Sequence, residues 1–219
     1  MDYRKVKRWS KSYALFHKLP VPKGLRVTRN KWGAYAKMLC RTIQKFNGWT
    51  QTGVPDVKYI AKVKPFRLKL MAVVTKELGT KEWPPGSNWG PVKEYLRAAG
   101  FSFPTPWCAS FVTYCLKKAG WGKGWPTLKG WVPSWDGWGT KKGYKISKYK
   151  ARRGDIVIFD WERDGGGDHI GFVTRNFGPL KSVATIEGNA TSDAIPGGGV
   201  VRKTRIWWQV HAVYRLPSY

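Results

Sequence analysis

Cys108, His169 and a pair of polar side chains at Glu187 and Asn189 are of the types that carry out thiol-based acyl transfer. In that chemistry a thiol attacks a carbonyl, and an imidazole takes its proton and later returns it to the leaving amine. A carboxylate or amide fixes the imidazole tautomer and stabilises the charge that forms on it. Cys108 lies near the start of the apolar stretch PWCASFVTYCLKKAG. His169 follows the turn Gly165-Gly166-Gly167-Asp168. Glu187 and Asn189 are two residues apart, so on a strand their side chains share a face, and Gly188 between them leaves room for a neighbour. Either could serve as the acceptor. His17 falls in a basic stretch and His211 inside a terminal strand pattern, so neither competes as the base.

Elements must hold these groups together. Trp107, Cys108, Phe111, Val112, Cys115, Leu116 and Ala119 recur at the three-and-four spacing of one buried helical face. Pro106 suits the start of that helix, and Lys117, Lys118 and Gly120 suit its end. A helix N-terminus presents unpaired N–H groups and the positive end of the macrodipole, which favours thiolate over thiol. Cys115 lies two turns on, about 10 Å away by helical rise, too far for a disulfide with Cys108, and reads as a core thiol. From Gly154 the period becomes alternating. Residues 155–161, 169–175, 182–187, 200–207 and 210–216 are expected strands. Helices followed by sequentially connected strands predict an α+β domain with an antiparallel meander. Residues 68–80 and 92–99 are expected helices. Residues 121–144, rich in Trp, Gly and Pro, are expected to form a loop in which Trp131 and Trp135 could line a groove for a sugar or peptide chain or simply cap the core.

The head of the chain differs. Residues 1–70 hold 18 Lys+Arg and 2 Asp+Glu, leaving 22 and 11 of the totals of 40 and 13 for the remainder. The formal net charge is +27. Such a surface concentrates on polyanions: nucleic acid, anionic lipid, or a bacterial wall with acidic polymers and peptide carboxylates. The 14 Trp suit stacking on bases or sugar rings alike. A nucleic-acid binder remains an alternative by charge, but no helix-turn-helix, zinc or RNA-recognition signature occurs. Three Cys exclude a disulfide framework, no run is apolar enough to span a membrane, and Met1–Lys18 lacks the apolar core of a signal peptide. Residues 32–46 keep helical spacing with Cys40 in their core. After the turn at Thr52-Gly53-Val54-Pro55-Asp56, a second short helix is expected. With Val63 and Phe66, that segment resembles a small peptidoglycan-binding domain, although Arg67 stands where a Gln is usual. The chain is thus read as a basic helical module, 1–66, followed by a larger domain, 67–219.

The larger domain carries Glu82 to Asn88, Trp107-Cys108-Ala109-x-Phe111-Val112, Gly154-Asp155-Ile156-Val157, His169-Ile170-Gly171-Phe172-Val173 and Glu187-Gly188-Asn189 in order. This run resembles the CHAP family, cysteine- and histidine-dependent amidohydrolases and peptidases of papain-like fold that cut peptidoglycan. The resemblance implies Cys108 as nucleophile, His169 as base, Glu187 as its orienting acid and Asn189 as a fourth polar member. Trp107, Asn88, Trp131 and Trp135 are the expected substrate contacts, with Asn88 a candidate oxyanion donor. Some members bind calcium through aspartates ahead of the Cys. None cluster there, so no metal and no cofactor is expected. The expected activity is peptidoglycan hydrolysis, as an N-acetylmuramoyl-L-alanine amidase or alternatively as an endopeptidase of the stem or cross-bridge. Peptidoglycan and anionic wall polymers are the expected partners. A basic head joined to a hydrolase without a signal peptide resembles phage endolysins, which implies residence in the host cytoplasm before action at the wall.

Overall fold

A computed structural model describes residues 66–122, 124–178 and 182–217. The expected module at 1–66, with Cys40 and His17, lies outside the described residues except for Phe66. The described residues belong to one compact unit, Pro65–Ser218.

Among the described residues, four α-helices precede the sheet: α1 Phe66–Lys76, α2 Lys93–Ala99, α3 Cys108–Lys118 and α4 Val132–Lys141. The periodicity that predicts α3 has its cause in packing. Ala109, Phe111, Val112, Cys115 and Leu116 are completely buried, and each large apolar side chain so placed contributes about 1.5–3 kcal/mol. Helix α3 packs on α1, α2 and the sheet, and its Phe111 ring meets Phe172 edge-on at 6.1 Å. Helix α4 corrects the expectation of a loop across 121–144. Pro133 in its first turn pre-sets the backbone, and Val132 and Trp135 supply a buried face. Tertiary packing thus prevails over a composition rich in turn formers.

Among the described residues, the six strands are β1 Lys145–Ile146, β2 Ile156–Phe159, β3 His169–Asn176, β4 Ser182–Ser192, β5 Ile195–Ile206 and β6 Val210–Tyr214. They form one antiparallel sheet in the order β1-β6-β2-β3-β4-β5. Strands β2 to β5 make the expected meander, but β6 returns to pair with β2, and β4 and β5 both extend into a long hairpin. In a flat sheet β5 and β6 would stand four strand spacings apart, about 19 Å. The four residue steps from Ile206 to Val210 reach about 14 Å at most. The sheet therefore curls toward a barrel. Val157, Phe159, Val173, Val183, Trp207, Val210 and Val213 fill one face as a single apolar cluster, while Phe172 on the other face meets the helices. At the base of the sheet, buried Asp155 accepts from Arg67 and Arg215 and from the Arg152 N–H, joining α1 to the strand ends.

Candidate active site

Cys108 is the first residue of α3, behind the N-cap Trp107. The first intrahelical bond runs from the Phe111 N–H to the Trp107 carbonyl at 2.8 Å, so helix geometry leaves the Cys108 N–H with no partner inside the helix. His169 opens β3 opposite Phe159, and Gly171, two residues along, lies opposite Glu187. His169 and Glu187 are therefore diagonal neighbours on one face. Gly171 is required between them, because a Cβ there would lie 2.8 Å from Glu187 Cγ and 2.9 Å from the Ile186 carbonyl oxygen. His169 Nε2 meets Glu187 Oε2 at 3.1 Å, and the Cys108 side chain lies near enough to the same imidazole to act on its charge. Both Cys108 and His169 are nearly buried.

The electrostatics follow from these contacts. Burial works against the His169 imidazolium, but the hydrogen bonds and charges of Cys108 and Glu187 outweigh it and lift its pKa to about 9. Burial likewise opposes the Glu187 carboxylate, whereas hydrogen bonds and charge from His169 and Arg205 hold it down at about 2. Glu187 is completely buried, and its oxygens are fully engaged. Oε1 accepts from Thr185 Oγ1 at 2.6 Å and Arg205 Nε at 3.0 Å, and Oε2 accepts from Arg205 Nη2 at 2.6 Å. Phe159 and Trp161 stack at 5.2 Å, with the His169 ring 5.9 and 6.1 Å from them at small interplanar angles. The Arg205 guanidinium lies over the same two rings.

Asn189 departs from the expected arrangement. A register shift between Glu187 and Ala190 and a left-handed φ of 56° at Asn189 turn its side chain off the face used by Glu187. Its amide, oriented to satisfy both neighbours, accepts from the Trp107 N–H and donates to Glu82 Oε1, each at 3.2 Å. Buried Glu82 also accepts from Trp107 Nε1 at 2.8 Å and from the Asn88 N–H at 2.9 Å. Asn88 thus engages Glu82 through its backbone N–H. Two further expectations are corrected. Trp107 is completely buried and Trp135 nearly so, with its indole N–H given to the Lys129 carbonyl, so neither presents a face to a ligand. Trp131 is exposed. Beside Glu82, a small cleft is lined by Lys81, Trp83, Pro85 and 194–198, with Trp83 66% exposed.

His211 meets Asp136 and Asp160, away from the thiol. Buried Cys115 has its pKa pushed well up by burial, as an inert thiol should. Among the described residues, Asp160, Glu162 and Asp168 have carboxylate oxygens within 4.8 Å of one another. Asp160 accepts from the Arg163 and Gly165 N–H groups and Asp168 from that of Trp161. These bonds close the loop, and no metal is assigned to the trio.

Residues 100–189 match the family model for the CHAP domain. Over that span the chain is similar to a CHAP domain. The matched span holds Cys108, His169, Glu187 and Asn189, begins after Glu82 and ends before Arg205. Among solved structures, the peptidoglycan hydrolase RipB from Mycobacterium tuberculosis is similar, with 18% identity, 85% of each chain covered and a TM-score of 0.43. No curated protein matches. Sequence reasoning alone did not find the roles of Thr185, Arg205 and Glu82. The two-residue spacing of Thr185 and Glu187 is a usable signal for the first. Arg205 has no local signal among 40 basic residues.

Proposed function

We propose that this chain is a peptidoglycan hydrolase that cleaves an amide bond with Cys108 as nucleophile. The observation that carries the reading is the line Cys108, His169, Glu187 at the start of α3 and the ends of two adjacent strands, inside the span similar to a CHAP domain. His169 takes the thiol proton and the sulfur attacks the carbonyl carbon. The resulting oxyanion faces the Cys108 N–H, which is placed to donate to it. Collapse of this intermediate breaks the C–N bond, His169 returns the proton to the leaving amine, and a thioester remains. Water, deprotonated by His169, then releases the acid and restores the thiol. Glu187 holds the imidazole and balances its charge throughout. Asn189 and Glu82 fix Trp107, and with it the helix start from which the thiol projects.

The bond proposed is the amide between muramic acid and L-alanine. Exposed Trp83 in the cleft beside Glu82, and exposed Trp131, offer flat apolar faces suited to a substrate with a glycan half. Cleavage within the stem or cross-bridge is the second reading. The setting proposed is that of an endolysin acting at the wall from the cytoplasmic side. Mass spectrometry of fragments released from purified peptidoglycan by wild type and Cys108→Ala tests both levels. Glycan strands freed of intact stem peptides, by the wild type alone, are expected. New amino termini inside the peptides would mean an endopeptidase, and equal release by folded Cys108→Ala would overturn the thiol mechanism.

A further inference from the structure

We propose that Arg205, together with the Thr185 hydroxyl, is a positioning residue that clamps Glu187 in the orientation His169 requires. The inference rests on the thiol reading above and concerns residues behind the reacting groups. Glu187 is completely buried, and without Arg205 its carboxylate would keep only Thr185 and His169 as partners. Arg205 meets both oxygens through Nε and Nη2, a fork that fixes the carboxylate plane as a point charge cannot. The guanidinium is itself held over Trp161 at 4.8 Å and Phe159 at 5.4 Å, the rings against which His169 stacks. One aromatic wall thus registers both ends of the Arg205, Glu187, His169 chain. Arg205 is 20% exposed in its side chain, so it separates the buried carboxylate from water.

The charged and titratable groups facing this unit are Cys108 from α3, His169 from β3, Glu187 from β4 and Arg205 from β5. Asp168, which precedes His169, turns a carboxylate oxygen to the Trp161 N–H. Two roles for Arg205 make opposite predictions. If it were only a nearby positive charge, removing it would favour the His169 imidazolium and raise its pKa. As a clamp, its removal leaves a desolvated carboxylate that protonates or rotates, so His169 loses its counter-ion and its pKa falls.

The test compares wild type, Arg205→Met, Arg205→Lys and Thr185→Val, with kcat and KM measured on soluble muropeptides across pH and His169 titrated by NMR. Arg205→Met is expected to lower kcat about 10- to 100-fold, as partners that hold a functional group from behind commonly do, with KM within about threefold. The alkaline limb of kcat/KM and the His169 titration should both move to lower pH. Arg205→Lys should recover part of the loss, and Thr185→Val should shift both readouts in the same direction by less. An unchanged or upward shift in a folded variant would overturn the inference. If Arg205→Met does not fold, the same signs in Arg205→Lys and Thr185→Val decide. Turnover by Cys108→Ala would sink the thiol mechanism instead. The NMR titration, repeated in that background, would still show whether Arg205 orients Glu187 against His169.

Discussion

At the scale of single residues, the imidazole of His169 lies between Cys108 and a carboxylate that both favour its protonated form, and this sets a pH window. Its folded pKa is raised from near 6.5 to about 9. Its contribution to stability is therefore complete below the unfolded value and lost as pH rises through about 9. Glu187 is shifted the opposite way, so its contribution is present above its unfolded value and lost as pH falls toward about 2. Activity that needs the imidazolium to protonate a leaving amine should fall along an alkaline limb near 9. Glu187→Gln, which keeps the shape and removes the charge, is expected to pull that limb toward the ordinary histidine range and to lower kcat/KM by about 10²- to 10⁴-fold. Rate profiles on purified peptidoglycan measure both, and an unmoved limb would show that Glu187 does not balance the imidazolium. Cys108, His169 and Glu187 could be read from sequence because a thiol at a helix start and a histidine after a glycine turn are local patterns. Arg205 could not, since its meaning comes from a cross-strand contact with a residue 18 positions away.

At the scale of elements, the site depends on how closely α3 approaches β4. Gly188 is the contact point. A Cβ there would lie 2.6 Å from Phe111 Cβ, 2.7 Å from Phe111 Cγ and 2.8 Å from Trp107 Cζ3. Gly188→Ala must therefore push the helix start from the strand or bend the strand from Glu187. The expected cost is about 1–3 kcal/mol of stability. Below the melting transition, the activity of Gly188→Ala should fall by more than its unfolded fraction explains, because Cys108 and Glu187 ride on the two elements being separated. Thermal melts beside rate measurements check this, and full activity in the folded variant would mean that the site tolerates the shift. The same approach explains which elements the sequence disclosed. The period of α3 and the alternation of β2 and β3 follow from burial on one face or both. Helix α4 was hidden because Trp135 and Pro133 take their helical role from tertiary packing. The return of β6 to β2 was hidden because it follows from the curl of the whole sheet, which no local pattern encodes.

At the scale of the whole molecule, charge is divided unevenly along the chain. The counts for residues 1–70, 18 basic and 2 acidic, give a net of +16, and the counts for the rest, 22 and 11, give +11. Both parts are cationic, so the catalytic unit should meet an anionic wall without a special patch, and the head should add affinity in proportion to its charge. Exposed charges act over about 8–10 Å at physiological salt. Attraction of this kind weakens as salt rises, whereas a carbohydrate-specific pocket would retain most of its affinity. Removing residues 1–64 is therefore expected to weaken binding to purified walls at low salt and to make the remaining binding less steeply dependent on salt, while the rate on soluble muropeptides stays close to that of the full chain. Co-sedimentation with walls across a salt series, run beside the soluble assay, separates targeting from catalysis. Equal low-salt binding by both proteins would remove the targeting role from the head. Weaker binding at every salt concentration with an unchanged slope would point to a neutral, wall-specific contact instead of charge.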